Sequence, residues 1–519
     1  MALFSQHINE IPGLRFIADE LQLQSPLGRQ HLLKQRFMTS PKEIAKHLDK
    51  VEEIINFLVP KESPANIENQ PQSEPSIQSN NTPTELLHSK PYYEGSLQSL
   101  KHALSEIRDI TGTLNALHTG MTLDDIGLFE IKRFALIIDR LIGILNDFKS
   151  NVVNFTSVSQ IISILDPDKQ RVPNFYIYDS YSEELAGLRK EYQRLTHETL
   201  SREYHDDPKG KRKSSDLQLV EELRLKTISV EDEIRKDISK KLRGYSIILL
   251  ENLSAAADLD LWLAKALLAH KLGLCKPAII NREQQTTFRQ LFNPAVRHIL
   301  QMSGKEFQPV DIKIIDGPTV ITGANMAGKT VVLKTVALAQ ALFQYGFYVP
   351  ATKAEIVPVE KIMTSMEDEQ SELKGLSSFA AEMLKLNNII SAARNQEQIL
   401  ALIDEPAKTT NPREGEALVS ALIELLNQYK ISSFITTHYS IESPGTKRLR
   451  VAGIKTSELN ESPSIGTIQD YIDYSLIEVD ESESNKSTVP EEALTIAKLL
   501  KVDKELLNIA EQYLKNNLP

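Results

Sequence analysis

The sequence predicts an α/β nucleoside-triphosphatase domain with a largely parallel sheet, preceded by an all-α region. Three observations predict it. First, the apolar stretch Thr319–Thr322 runs into Gly323-Ala-Asn-Met-Ala-Gly-Lys-Thr330. This is the Gly-x-x-x-x-Gly-Lys-Thr spacing of a P-loop, and a helical stretch follows from about Lys329 to Phe343. Second, two more apolar runs end in reactive side chains: Ile399–Ile403 in Asp404-Glu405, and Phe434–Thr437 in His438. Third, from about 95 to 272 the apolar residues recur at helical steps instead.

Each residue of the first motif has a mechanical reason. The glycines let the chain turn tightly, so that the N–H groups of Gly323, Ala324, Asn325, Met326, Ala327 and Gly328 face one concavity and hold phosphate oxygens. The following helix adds its positive N-terminal end. Lys329 is expected to reach the β- and γ-phosphates of ATP, and the Thr330 hydroxyl to bind Mg²⁺. An unbroken apolar run such as Ile399–Ile403 suits a parallel strand buried on both faces. At its C-terminal edge Asp404 is placed to hold Mg²⁺, and Glu405 to polarise the attacking water. His438 ends a neighbouring strand and is a candidate contact to the γ-phosphate.

Composition sets outer bounds. A chain of 519 residues suggests two to four domains. A net charge of −11 does not mark a nucleic-acid binder, although a local basic groove can hide in that sum. One cysteine, Cys275, excludes an internal disulfide, and a reducing cytoplasm is the expected compartment. No apolar run reaches the length of a membrane span, so no membrane role is expected. Scattered His and a single Cys leave no pattern for a structural zinc.

Taken in order, residues 1–59 read as helical. Ser40-Pro41-Lys-Glu43 is a helix start, followed by Ile44, Leu48, Val51, Ile55 and Leu58 on one face. Residues 60–94, rich in Pro, Ser, Asn and Gln, read as a disordered linker or loop. Residues 95–272 read as long helices forming a lever, with Phe175–Tyr178 as a short strand candidate. Asp206–Lys213 reads as a polar tip loop carrying a basic cluster, Lys209, Lys211, Arg212 and Lys213. Residues 273–460 alternate strands and helices and form the α/β domain. Residues 461–519 read as a polar linker with two helices, Pro490–Leu500 and Asp503–Leu514.

Together these motifs resemble a known family. Gly323–Thr330, Tyr348–Ala351, Gly375–Met383, Asp404-Glu405 and Thr436–Tyr439 look like the ATPase domain of MutS, the mismatch-repair branch of ABC-type ATPases. The resemblance implies that residues 1–59 open the family's helical core domain, past its mismatch-reading and connector domains. It implies that Ser377 and Ser378 form a signature loop acting in trans on a partner's γ-phosphate, within a homodimer. It makes Phe292 a candidate for stacking on adenine, and the two last helices a dimerisation element. The family's Phe-x-Glu wedge for mispaired bases is absent: none of the 16 phenylalanines is followed two residues later by Glu. The loop after Glu405 also departs, with Pro406-Ala-Lys-Thr-Thr-Asn-Pro412 where relatives have a Gly-rich turn. That loop looks closest to the ATPase subunit of the reactivase of cobalamin-dependent lysine 5,6-aminomutase. Two clients are implied, a protein to be remodelled or mismatched and branched DNA; the acidic balance, missing wedge and unusual loop favour the protein.

Overall fold

The computed structural model describes residues 2–58, 91–147, 152–203, 211–323, 328–366, 378–439, 441, 446–454, 472–479, 494, 497–498 and 502–516. Two compact units result. One gathers residues 1–22, 33–52 and 265–519, the other 23–32 and 53–264.

The first unit is built on two sheets. Its strands are β1 Ala278–Ile279, β2 Thr287–Leu291, β3 Val310–Lys313, β4 Pro318–Thr322, β5 Lys353–Ile356, β6 Lys361–Ser365, β7 Ile399–Ile403, β8 Ser433–Thr436, β9 Lys447–Ile454 and β10 Ile472–Glu478. The larger sheet has the order β10-β9-β4-β8-β7-β6, and the smaller β1-β5-β2-β3. From β9 to β6 the larger sheet is parallel; β10 is an antiparallel edge. All five residues of β7 are buried, as a strand covered on both faces requires. The helices that cross between strands start where the sequence signals them. Asn293 caps Pro294–Met302 and Asn411 caps Pro412–Gln428, each with Pro in the first turn, where its missing N–H costs nothing.

The helix Lys329–Gln344 runs through the middle of this unit and is buried along nearly its whole length. Its last turn is gripped by the amino-terminal residues. Met38 N–H donates to Gln344 O, and Gln344 Nε2 donates to Met38 O at 2.8 Å. Phe4, His7 and Phe37 pack their rings around Tyr345, with Tyr345 Oη 3.0 Å from His7 Nδ1. Residues 1–22 and 33–52 thus belong with the α/β unit by packing, although they are helical as read. The helix predicted from Ser40 spans Pro41–Leu58.

The regular elements of the second unit's described residues are all helices. Its helices include Pro91–Ser105, Thr111–Thr119, Asp125–Asp147, Ser159–Leu165, Glu183–Glu203 and Lys211–Arg243. Leu100, Leu104, Leu128, Ile131, Leu141 and Leu165 are among its core side chains. Phe175–Tyr178 is extended but not a strand. No strand pairs with it among the described residues, and Tyr178 instead closes a buried trio: Lys132 Nζ lies 2.9 Å from Asp166 Oδ1 and 2.7 Å from Tyr178 Oη. Asp260 is the other buried anchor. It accepts from Gln24 N–H and Ser25 N–H, both at 2.9 Å, and from Ser25 Oγ at 2.6 Å. Gly28, in the helix Pro26–Lys34, leaves room for that carboxylate, which an added Cβ would overlap.

Several expectations meet the limits of the described residues. The linker 60–94 lies outside them, except that 91–94 begin the helix Pro91–Ser105. Of the predicted tip loop, 206–210 lie outside, while Lys211, Arg212 and Lys213 open a helix, not a loop. Most of Pro490–Leu500 lies outside, and the last helix is Lys504–Asn516. The sheet also extends past residue 460, because β10 pairs with β9.

Candidate active site

Strand register creates the site. Ile321 of β4 lies level with Thr436 of β8, and Ile403 of β7 lies level with Ile435. The C-terminal ends of these strands therefore open together, where ligands bind in open parallel sheets. β8 sits between β4 and β7, so the acidic pair reaches the lysine-bearing turn across an intervening strand.

Gly323 leaves β4 with φ +141° and packs against Val451, which an added Cβ would approach at 3.3 Å. Gly328 enters the helix with φ +78°. Ala324, Asn325, Met326 and Ala327, expected to cradle phosphates, lie outside the described residues. Lys329 and Thr330 follow in the helix's first turn. Lys329 Nζ donates to Gly323 O at 2.6 Å and stands 3.6 Å from Glu405 Oε1; its side chain is 4% exposed. Thr330 Oγ1 donates to Asp404 Oδ2 at 2.8 Å.

The acidic pair is held by backbone and by one threonine. Asp404 N–H donates to Ser365 O of β6. Thr436 Oγ1 donates to Asp404 Oδ1 at 2.6 Å and accepts from Glu405 N–H at 2.8 Å. Glu405 has a left-handed backbone, φ +45°, just past the end of β7. His438 Nε2 lies 2.6 Å from Glu405 Oε1, and Lys408 Nζ 3.9 Å from Oε2. The His438 hydrogen bond holds the Glu405 carboxyl below the usual glutamate range, with lesser help from the charges of His438, Lys329 and Lys408; partial burial pulls the other way.

The structure thus brings together Gly323, Gly328, Lys329, Thr330, Asp404, Glu405 and His438. Phe292 makes none of these contacts. It is buried, its N–H donates to Pro350 O, and the Arg297 guanidinium lies 4.7 Å over its ring. Ser377 lies outside the described residues, and Ser378 begins the helix Ser378–Arg394. Besides Lys408, two contributors are not singled out by the sequence. Thr436 is one, although it stands in the stretch Thr436–Tyr439. Tyr474 is the other: its ring edge would lie 3.1 Å from a Cβ at Gly328. Only the distant pairing of β10 delivers it, and nothing local signals that.

The donor set fits a magnesium nucleotide. Thr330 and Asp404 present hydroxyl and carboxylate oxygens side by side, the hard ligands Mg²⁺ takes, with few protein groups and the rest from phosphate and water. No group of three or more His, Cys, Asp or Glu that could cage a metal occurs among the described residues. A lysine, a hydroxyl–carboxylate pair and a carboxylate–imidazole pair at the ends of parallel strands define a domain compatible with an α/β NTPase.

Comparison with known proteins then says what the chain is similar to. Residues 319–516 match MutS domain V, so this stretch is similar to the MutS family. It is 35% identical over 222 residues to Endonuclease MutS2 of Thermus thermophilus, covering 43% of this chain and 28% of that protein. It is 31% identical over 244 residues to Endonuclease MutS2 of Thermomicrobium roseum, covering 45% and 30%. With Endonuclease MutS2 of Ligilactobacillus salivarius it shares 31% over 233 residues, covering 43% and 28%. The chain therefore spans less than a third of the length of these relatives.

Proposed function

We propose that this site binds Mg²⁺-ATP and hydrolyses it. The observation that carries the reading is the junction at which Thr330 Oγ1 meets Asp404 Oδ2 at 2.8 Å while Glu405, next in the chain, meets His438 at 2.6 Å. Bound Mg²⁺ would supply charge neutralisation at the phosphates, and Thr330 with Asp404 would hold it. Lys329 would leave Gly323 O and neutralise β- and γ-phosphate oxygens. Glu405 would accept the proton of the attacking water, and His438 would orient Glu405 and face the γ-phosphate. By family resemblance, Ser377 and Ser378 of a second copy complete the site, so a homodimer is the working form, and Phe292 borders the adenine pocket.

The proposed client is a protein, moved by the helical unit on ATP turnover. The resemblance of the loop Asp404–Pro412 to the aminomutase reactivase branch supports it, as does the acidic balance. The alternative, mismatched or branched DNA, is supported by the endonuclease name of the relatives.

Glu405→Gln tests the chemistry. It keeps the shape and loses the base, so single-turnover hydrolysis should fall roughly 10²–10⁴-fold with nucleotide binding retained. An unchanged rate would place the base elsewhere. Because the Glu405 carboxyl sits below its usual range, it stays ionised through neutral and mildly acid pH. Its contribution to stability is present above the unfolded glutamate pKa and is lost as pH falls through the lower folded one. Loss of hydrolysis through Glu405 protonation should therefore appear only below the ordinary glutamate range.

A further inference from the structure

The loop that follows Glu405 has no glycine before Gly415, yet its backbone turns as if it had one. Ala407 has φ +60°, a left-handed conformation that is strained for a non-glycine residue. Pro406 stands between it and Glu405, so the direction of the Glu405 carboxylate depends on a short, strained turn.

Three neighbours hold that turn. Ala407 N–H donates to Glu382 Oε1 at 3.0 Å. Ala407 O accepts from Tyr439 Oη at 3.0 Å and from Thr410 N–H at 3.3 Å. Ala407 itself is 1% exposed. Glu382 belongs to the helix Ser378–Arg394, and Tyr439 follows His438. Gly415 makes the second contact possible, because a Cβ there would overlap Tyr439 Oη and approach Ala407 O at 3.1 Å. The one glycine of the region therefore serves Tyr439, not the turn.

We propose that Glu382 and Tyr439 are positioning residues for ATP hydrolysis: they clamp Ala407 in its left-handed turn and so aim Glu405. The inference rests on Glu405 acting as the base. It gives the segment after Glu405 two tethers, one from the helix that Ser378 opens and one from the residue after His438. A glycine turn would hold its shape at no strain; an alanine turn needs the clamp.

The test combines hydrogen exchange of residues 404–411 with steady-state ATP hydrolysis by the full chain. Glu382→Ala and Tyr439→Phe should each lower kcat about 10-fold and leave KM within about twofold, since aim and not binding is lost. Glu382→Ala should also speed exchange of the Ala407 amide about 10-fold. Glu382→Gln, which keeps an acceptor oxygen, should match the wild type in both readouts. Ala407→Gly added to Tyr439→Phe should restore most of kcat, because glycine takes φ +60° without strain. Unchanged exchange in Glu382→Ala, or a loss in Glu382→Gln equal to that in Glu382→Ala, would overturn the clamp. If the wild type hydrolyses ATP and Glu405→Gln does not, but Tyr439→Phe and Glu382→Ala keep full kcat, the clamp fails and the catalytic reading stands. If Glu405→Gln hydrolyses ATP as the wild type does, the catalytic reading fails, and with it the aiming role; exchange then reports only whether Glu382 holds the turn.

Discussion

At the scale of the residue, the proposed function gives Lys329 two jobs that would exclude one another. Its ammonium is held by Gly323 O and stands near Glu405, and on the proposed reading both contacts would yield to phosphate oxygens. Lys329→Ala removes the cation for either state. Charge-assisted bonds of this kind contribute about 1.5–3 kcal/mol, so ATP affinity measured by calorimetry should fall at least about 10-fold, while thermal stability changes little. Wild-type affinity in this variant would remove Lys329 from the site. The side chains of the site were largely legible in the sequence, because a P-loop string and an acidic pair after an apolar run are local patterns. Thr436 was not singled out because a threonine ending a strand is ordinary. What distinguishes it is its position between Asp404 and the Glu405 amide, which only the strand order creates. The left-handed turn at Ala407 was hidden for a related reason: alanine does not announce it.

At the scale of the element, the strands at 318–322, 399–403 and 433–436 and the helix from Lys329 were legible from apolar runs and breakers. Their order in the sheet was not. β8 lies between β4 and β7, and β10 joins from far along the chain, because pairing depends on packing that no local pattern records. Phe175–Tyr178 shows the opposite error, a strand-like run that has no strand to pair with. Asp260 is an element-scale anchor of the helical unit: one carboxylate satisfies two N–H groups and a hydroxyl ahead of the helix Pro26–Lys34. Burial raises the pKa of this carboxyl, and the hydrogen bonds from Ser25 and Gln24 act against that. Asp260→Ala would leave these buried donors unpaired and should cost about 2–4 kcal/mol in chemical unfolding. A loss below about 0.5 kcal/mol would show that water replaces the carboxylate.

At the scale of the whole molecule, the client divides the two functional readings. Four Lys/Arg on phosphates would give a log–log salt slope near −3 to −4 on duplex DNA. We expect weak duplex binding at physiological salt, with little change when Lys209, Lys211, Arg212 and Lys213 are replaced by Ser, measured by anisotropy across a salt series. Tight binding by the wild type, lost in that variant and enhanced by a mismatch or branch, would select the DNA reading. No helix among the described residues is long and apolar enough to cross a membrane.

The grip of the amino-terminal residues on the helix Lys329–Gln344 carries a consequence of its own. One end of that rod holds Lys329; the other is locked to Met38 and ringed by Phe4, His7 and Phe37. A rod buried along its length cannot bend to absorb a push. If ATP binding shifts the Lys329 end, as the proposed function would have it, these contacts would hand the shift on to Phe4, His7, Phe37 and Met38 and make them the engine's mount. A protein trimmed before Pro41 would strip Tyr345 and Gln344 of these partners and leave the rod without its rear bearing.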